Sequence, residues 1–236
     1  MIFSIKKILI TMLTVFSISF VFAENEIIVN NGKCINSNVN GDGLDIYVGN
    51  CSKKLKKIDT IEVPNDIAKI EYSFFNKNNL YIAFSYDENY RSLDNKYSYV
   101  NKYFLINAYD CNEKNNCKYN SALSNYFGNG GDVFDRERKE LVYRYPYSRR
   151  DLLMKELSSD RFNNWMSGKI KKGKVVRKTF VNEVNNVSTE NNGYLIKGDI
   201  FEVEDISSGW LNVKYTSKVG KITKGWVNCK DTNICD

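Results

Sequence analysis

The segment Leu80-Tyr81-Ile82-Ala83-Phe84-Ser85-Tyr86 decides the fold class of this chain. It follows the turn residues Asn78 and Asn79, and its apolar and aromatic composition is typical of a β-strand. Similar segments with turn residues at their ends lie on both sides of it: Leu44–Val48, Ile58–Val63, Ile67–Phe75, Tyr103–Ile106 and Leu141–Tyr145. We therefore predict a mainly β protein whose residues 24–157 form an antiparallel β-sheet or sandwich domain.

A short helix is predicted after this domain. Ser159 and Asp160 supply N-capping side chains and Gly168 supplies a stop, which places the helix at 161–166. Its apolar residues lie at i, i+3 and i+4 and are expected to pack on the sheet: Phe162, Trp165 and Met166. Residues 158–173 are thus interpreted as a linking helix followed by a basic linker.

The pattern changes again at Lys174, where short strands alternate with tight turns. We expect strands in the following segments: Val175–Val181, Tyr194–Lys197, Ile200–Glu204, Gly209–Tyr215 and Thr223–Val227. Residues 174–236 are therefore predicted to be a small β domain that ends in a C-terminal disulfide loop.

Three motifs in residues 174–230 carry a resemblance to the bacterial SH3-like (SH3b) family of small barrels. They are Lys197-Gly198-Asp199 with Phe201-Glu202-Val203, then Gly209-Trp210-Leu211-Asn212-Val213-Lys214-Tyr215, and finally Gly225-Trp226-Val227. The resemblance implies an SH3-like β-barrel that docks to a cell-wall peptide or a protein partner and has no catalytic role.

The two-residue period of a β-strand divides the Gly-Trp strand into two faces. One face carries Leu211, Val213 and Tyr215 and is expected to be core, whereas Trp210 lies on the other face among polar residues. An indole in that position is either a contact surface for a ligand or packs against the N-terminal domain or the loop that carries Tyr194, and the sequence leaves these alternatives open. The candidate ligand-binding residues are Tyr194, Trp210, Asn212 and Lys214.

The N-terminus has the features of a cleavable signal peptide. Lys6 and Lys7 precede an apolar run from Ile8 to Phe22, and Ala23 ends it at a small-residue site. A membrane anchor is the alternative, but the run is shorter than the roughly 20 residues that a spanning helix needs. We expect cleavage after Ala23, a secreted or periplasmic location, and no integral membrane segment in the mature chain.

Six cysteines follow the predicted signal peptide, and an even number in an exported chain indicates disulfides. Sequence alone does not choose among the fifteen possible pairings. Loop closure favours near neighbours, and the expected pairs are Cys34–Cys51, Cys111–Cys117 and Cys229–Cys235. No C-x2-C pair is present, so we expect no metal site.

The chain has no histidine, which excludes Ser-His-Asp and Cys-His catalysis.

The net charge of +6 is unevenly distributed along the chain, since residues 24–167 are neutral and a basic strip occupies residues 169–178. This strip is a solvated connector or a contact for anionic lipids or polymers. It contains no aromatic residues, so nucleic acid binding is not expected. No cofactor is predicted.

A group of carboxylates follows a glycine-rich segment at 127–132, which we expect to be a surface loop. These are Asp132, Asp135, Glu137 and Glu140, and they alternate with basic residues. Paired carboxylates are able to catalyse glycoside hydrolysis, but alternating charges are more typical of a solvated turn. The next strand carries Tyr143, Tyr145 and Tyr147, a row that forms core or stacks on sugars.

Three hypotheses for function follow. The first is a non-enzymatic binding protein whose barrel docks to a peptidoglycan peptide or a protein partner. The second is an inhibitor or immunity-type protein against a toxin that attacks the envelope. The third is a cell-wall hydrolase that uses carboxylates, with the barrel as a targeting module. The sequence does not fix the oligomeric state.

Overall fold

The structure is a computed structural model that describes residues 28–30, 32–40, 43–62, 68–88 and 92–235. The predicted signal peptide, residues 1–23, lies outside the described residues. Within the described ranges, no helix is both long and apolar enough to cross a membrane.

The described residues form three antiparallel sheets that follow one another along the chain, and three helices, one of which lies between two strands of the second sheet. The first sheet has the order β1-β2-β3-β4 and consists of β1 (Ile28–Asn30), β2 (Lys33–Asn40), β3 (Gly43–Asn50) and β4 (Lys56–Ile61). The second has the order β10-β9-β7-β6-β5, with β8 paired to β7: β5 (Lys69–Asn76), β6 (Asn79–Asp87), β7 (Tyr97–Cys111), β8 (Cys117–Tyr119), β9 (Asn129–Asp135) and β10 (Glu140–Tyr143).

The helices are α1 (Ser121–Phe127), α2 (Arg150–Leu157) and α3 (Asp160–Met166), and a 3-10 helix spans Cys229–Asp231. The third sheet has the order β11-β14-β15-β16-β12-β13: β11 (Lys172–Lys174), β12 (Thr179–Asn182), β13 (Asn191–Leu195), β14 (Ile200–Ser207), β15 (Trp210–Thr216) and β16 (Ile222–Asn228). The prediction of a mainly β chain with antiparallel sheets is confirmed. The described strands form no closed barrel, so the SH3-like assignment stays a prediction.

The second sheet is the central layer because both of its faces are buried. On β6, Leu80, Ile82 and Phe84 pack with the first sheet in one core cluster. The alternate residues Tyr81 and Ala83 belong to a second cluster on the opposite face, with the helices and the third sheet. A strand that is covered on both sides has to be apolar at successive positions, which explains the unbroken apolar run in β6.

All three expected disulfides are confirmed, and they link Cys34 to Cys51, Cys111 to Cys117, and Cys229 to Cys235. The second closes the β7–β8 hairpin at a directly paired position. The helix predicted at 161–166 is present as α3, but Met166 is 58% exposed and does not pack as expected. The Ser159 hydroxyl accepts a hydrogen bond from the Phe162 N–H at 3.0 Å, as an N-cap does.

The prediction of a surface loop at 127–132 is wrong. Most of this segment belongs to β9, which lies between β7 and β10 inside the central sheet. A Cβ atom on Gly131 would lie 2.9 Å from the Lys102 carbonyl oxygen, and one on Gly130 would lie 3.0 Å from the Tyr145 ring. The glycines therefore allow close packing within the sheet and beneath Tyr145.

The turn between β14 and β15 joins the third sheet to the rest of the molecule. The Ser208 N–H donates to the Tyr126 carbonyl at 3.1 Å, and the Ser208 hydroxyl donates to the Asn129 carbonyl at 2.9 Å. The Tyr143 hydroxyl in turn donates to the Ser208 carbonyl at 2.5 Å. Gly209 allows the turn to approach Pro146 closely, because a Cβ atom on residue 209 would lie 3.1 Å from the Pro146 ring. One core cluster thus contains side chains from both predicted domains.

Candidate functional site

Trp210 is not the exposed contact surface that one of the two interpretations required. Its side chain is 3% exposed, and its ring lies 5.5 Å from the Tyr143 ring between centroids. The docking of the Ser208-Gly209 turn against the central sheet covers this end of β15. The alternative, in which Trp210 packs against the N-terminal part of the chain, is the one that the structure has, and Trp210 is withdrawn as a ligand-binding candidate.

The other three candidates remain accessible on the same face of the third sheet. Asn212 and Lys214 are half-buried on β15, and Tyr194 is 57% exposed on the edge strand β13. Lys214 is occupied by an ion pair with Glu202, whose carboxylate lies 3.1 Å from its ammonium nitrogen. Tyr194 is therefore the predicted candidate that has the most surface to offer.

Tyr194 belongs to an exposed aromatic and basic cluster. It pairs directly across the strands with Phe180 of β12, which is 54% exposed. The Lys178 ammonium lies 4.3 Å from the centroid of the Tyr194 ring and 5.6 Å from that of Phe180. Lys178 takes part in none of the ion pairs found among the described residues.

Trp226 lies on β16, the strand next to β12 in the same sheet. It is partly buried on β16, and it lies directly opposite Asn182 of β12 on one side and Asn212 of β15 on the other. Residues that are paired in this way share a face of the sheet. We call Lys178, Phe180, Tyr194 and Trp226 the outer aromatic face.

The local sequence explains why Phe180 points outward. Thr179 and Val181 are buried on either side of it in β12, so the strand period turns Phe180 to the opposite face. The alternation Thr-Phe-Val is visible in the sequence, but an aromatic residue at its centre is typical of core. Phe180 is paired with Tyr194 on the neighbouring strand. The two residues are distant in sequence, so the sequence of β12 alone does not show that Phe180 is exposed.

The carboxylates of Asp132 and Asp135, both on β9, have structural partners. The Asp132 carboxylate accepts the Tyr145 N–H at 3.0 Å, and Asp135 accepts the N–H groups of Glu137 and Arg138 at 2.9 and 3.0 Å. Burial acts to raise the pKa of Asp135, but these hydrogen bonds and the charge of Lys96 outweigh it and lower that pKa below its ordinary value. Asp135 is thus held ionised in a turn, whereas a general acid needs a raised pKa.

The tyrosine row is core. Tyr143, Tyr145 and Tyr147 are between 1% and 8% exposed, and burial raises the pKa of each hydroxyl. The Tyr145 hydroxyl donates to the carbonyls of Phe127 and Gly128. No face of this row is open to a sugar ring.

No protein-family model matches the chain, and no curated protein or solved structure is similar enough to it to count as a match. Within the described part of the chain, no group of three or more cysteine, aspartate or glutamate side chains is placed to hold a metal ion.

Proposed function

We propose that this protein is an exported, non-enzymatic binding protein that docks to a peptide of the cell wall through the outer aromatic face of its C-terminal SH3-like domain. The observation that carries the proposal is the exposed pair Phe180 and Tyr194 with Lys178 above both rings. Exposed aromatic residues grouped on one surface are typical of binding sites, because they bury much apolar area at low entropic cost.

The charges around this face favour a ligand with a carboxylate. Lys214 and Lys224 are matched by Glu202 and Glu204 at 3.1 and 2.8 Å. Among the described residues, no carboxylate pairs with Lys178, so its ammonium is available to an anionic group. A wall peptide that lays an apolar side chain on Tyr194 would bring its carboxylate to Lys178.

Two structural features support the SH3-like part of the proposal. The third sheet is built from short antiparallel strands, as in a small barrel. An isolated bridge between Val175, which follows β11, and Thr232 brings the start of this sheet beside the C-terminal tail.

The three disulfides support the exported location in the proposal, because disulfides form in oxidising compartments outside the cytosol.

Co-sedimentation with purified peptidoglycan sacculi tests the proposal. We expect the wild-type chain to bind, and Phe180→Ala with Tyr194→Ala to weaken binding by about 10- to 100-fold, the range for losing two aromatic contacts. The matched control is Tyr119→Ala, since Tyr119 is 52% exposed but lies on β8, in the central sheet. Its binding should stay within about twofold of wild type.

Two results would contradict the proposal. If the wild-type protein fails to sediment with sacculi, the ligand is not a wall component, and the alternative of a protein partner replaces this proposal. If Tyr119→Ala weakens binding as much as the double substitution does, the outer aromatic face is not the site.

A further inference from the structure

A second candidate site lies in a cleft of about 860 Å³ between the helices and the C-terminal tail. Its walls come from α2, α3, the connector at 169–172 and residues 233–235. No residue of the outer aromatic face contributes to it. The volume falls within the range of roughly 300 to 1,000 Å³ that is usual for small-molecule sites.

The charged groups in this cleft are mostly basic. Glu156 is paired with Arg161 through two hydrogen bonds and is 6% exposed, so these two charges compensate each other. The other charged side chains that line the cleft are Lys155, Asp160, Lys169 and Lys172. Those three lysines take part in none of the ion pairs found in the described ranges. Three lysines against one aspartate make the cleft attractive to anions.

The guanidinium of Arg161 adds hydrogen-bonding capacity at the same place. Its Nε and Nη2 atoms donate to Glu156, while Nη1 lies against the sulfur of Cys235. A disulfide sulfur is a weak acceptor, so this N–H group gains by donating to an oxyanion instead. Arg161 is itself a lining residue of the cleft.

The remaining lining is mixed. Its apolar side chains are Pro146, Tyr147, Leu152, Ile170 and Ile234, and its uncharged polar side chains are Ser159, Asn164 and Asn233. Basic groups at the rim and apolar side chains in the walls match a ligand that has an anionic head and an apolar body.

We propose that this cleft binds a small amphipathic organic anion with a carboxylate or phosphate head. This site is independent of the outer aromatic face, so neither proposal depends on the other. It also gives a role to the basic strip, of which Lys169 and Lys172 are part.

A fluorescence titration with 8-anilinonaphthalene-1-sulfonate, an aromatic anion, tests this site in the full mature chain. We expect saturable binding that weakens about tenfold in Lys169→Gln with Lys172→Gln, as for the loss of about 1.4 kcal/mol. The matched control is Lys171→Gln with Lys174→Gln. It removes the same charge from the same strip, but neither residue lines the cleft. Its affinity should stay within about twofold.

Neutral probes separate the contribution of charge from that of the apolar walls. N-phenyl-1-naphthylamine, the uncharged counterpart, should bind both double variants equally well. Hexanoate or hexyl phosphate should displace the anionic probe at lower concentration than hexanol, and the more effective of the two identifies the preferred head group. The proposal is overturned if the probe does not saturate, if both double variants lose affinity equally, or if hexanol competes as well as the anions.

Discussion

Replacing Glu156 with alanine probes the buried ion pair that joins α2 to α3. The Glu156 side chain is 7% exposed, and its carboxylate accepts hydrogen bonds from the Tyr126 hydroxyl and from the Nε and Nη2 atoms of Arg161. Removing it leaves the Arg161 charge in a largely buried position with no carboxylate. Breaking such a pair costs about 3 to 5 kcal/mol in the free energy of unfolding.

The same helix supplies a matched control. Asp151 pairs with Arg149 at 2.6 Å, but both side chains are about two-thirds exposed. Exposed pairs contribute about 0 to 1 kcal/mol, and the position of Asp151 in the first turn of α2 adds at most about 1 kcal/mol. Asp151→Ala is therefore expected to cost clearly less than Glu156→Ala.

Urea unfolding followed by tryptophan fluorescence measures both effects. With a slope of about 2 to 3 kcal/mol per M, Glu156→Ala should lower the midpoint by about 1 to 2.5 M. Glu156→Leu combined with Arg161→Met should recover most of this loss, because it removes both charges together. Equal midpoints for Glu156→Ala and Asp151→Ala would refute the assignment of a buried, uncompensated charge.

Two further predictions concern one glycine and one carboxylate. Gly225→Ala should destabilise the fold by about 3 kcal/mol, because its Cβ atom would lie 2.4 Å from the Asn182 carbonyl oxygen. Gly220 also has a positive φ but has open space around it, so Gly220→Ala should cost only about 1 kcal/mol. Comparable losses of stability for the two variants in thermal unfolding would contradict this. A hydrogen bond from Lys57 holds the pKa of Asp45 at about 2. The stabilisation from Asp45 is complete above about pH 5 and is lost as the pH falls toward about 2, because the carboxyl is protonated in the unfolded chain first. The urea midpoint of Asp45→Asn should therefore fall less than that of wild type over this interval, and parallel curves would argue against it.

The parts of the fold that follow from local signals were predictable from the sequence. The Ser159 hydroxyl caps α3 within three residues of its own position, and the Cys111–Cys117 and Cys229–Cys235 loops each close over six. The strand β6 has an unbroken apolar run from Leu80 to Phe84. In each case the deciding interaction lies within one segment of the chain.

The helices α1 and α2 were not predicted, for different reasons. In α1, Asn120 caps the Leu123 N–H, and this signal was present in the sequence. In α2, the buried positions are Leu153, Glu156 and Leu157, so a charged residue interrupts the apolar stripe. Glu156 is buried because Arg161 of α3 and Tyr126 of α1 donate hydrogen bonds to it, and the sequence pattern of α2 alone contains neither partner.

The exposure of the two tryptophans of the third sheet also depends on contacts between distant parts of the chain. The two-residue period correctly places Trp210 on the face opposite Leu211, but it does not determine whether that end of the face is covered. Burial is decided by the Ser208 turn, which docks between the Tyr126 and Asn129 carbonyls far away in the chain. Trp226, beyond the reach of this contact, stays partly exposed beside Asn212. The binding face is therefore the part of the sheet that docking leaves open, and its residues are set by a contact between the two halves of the chain.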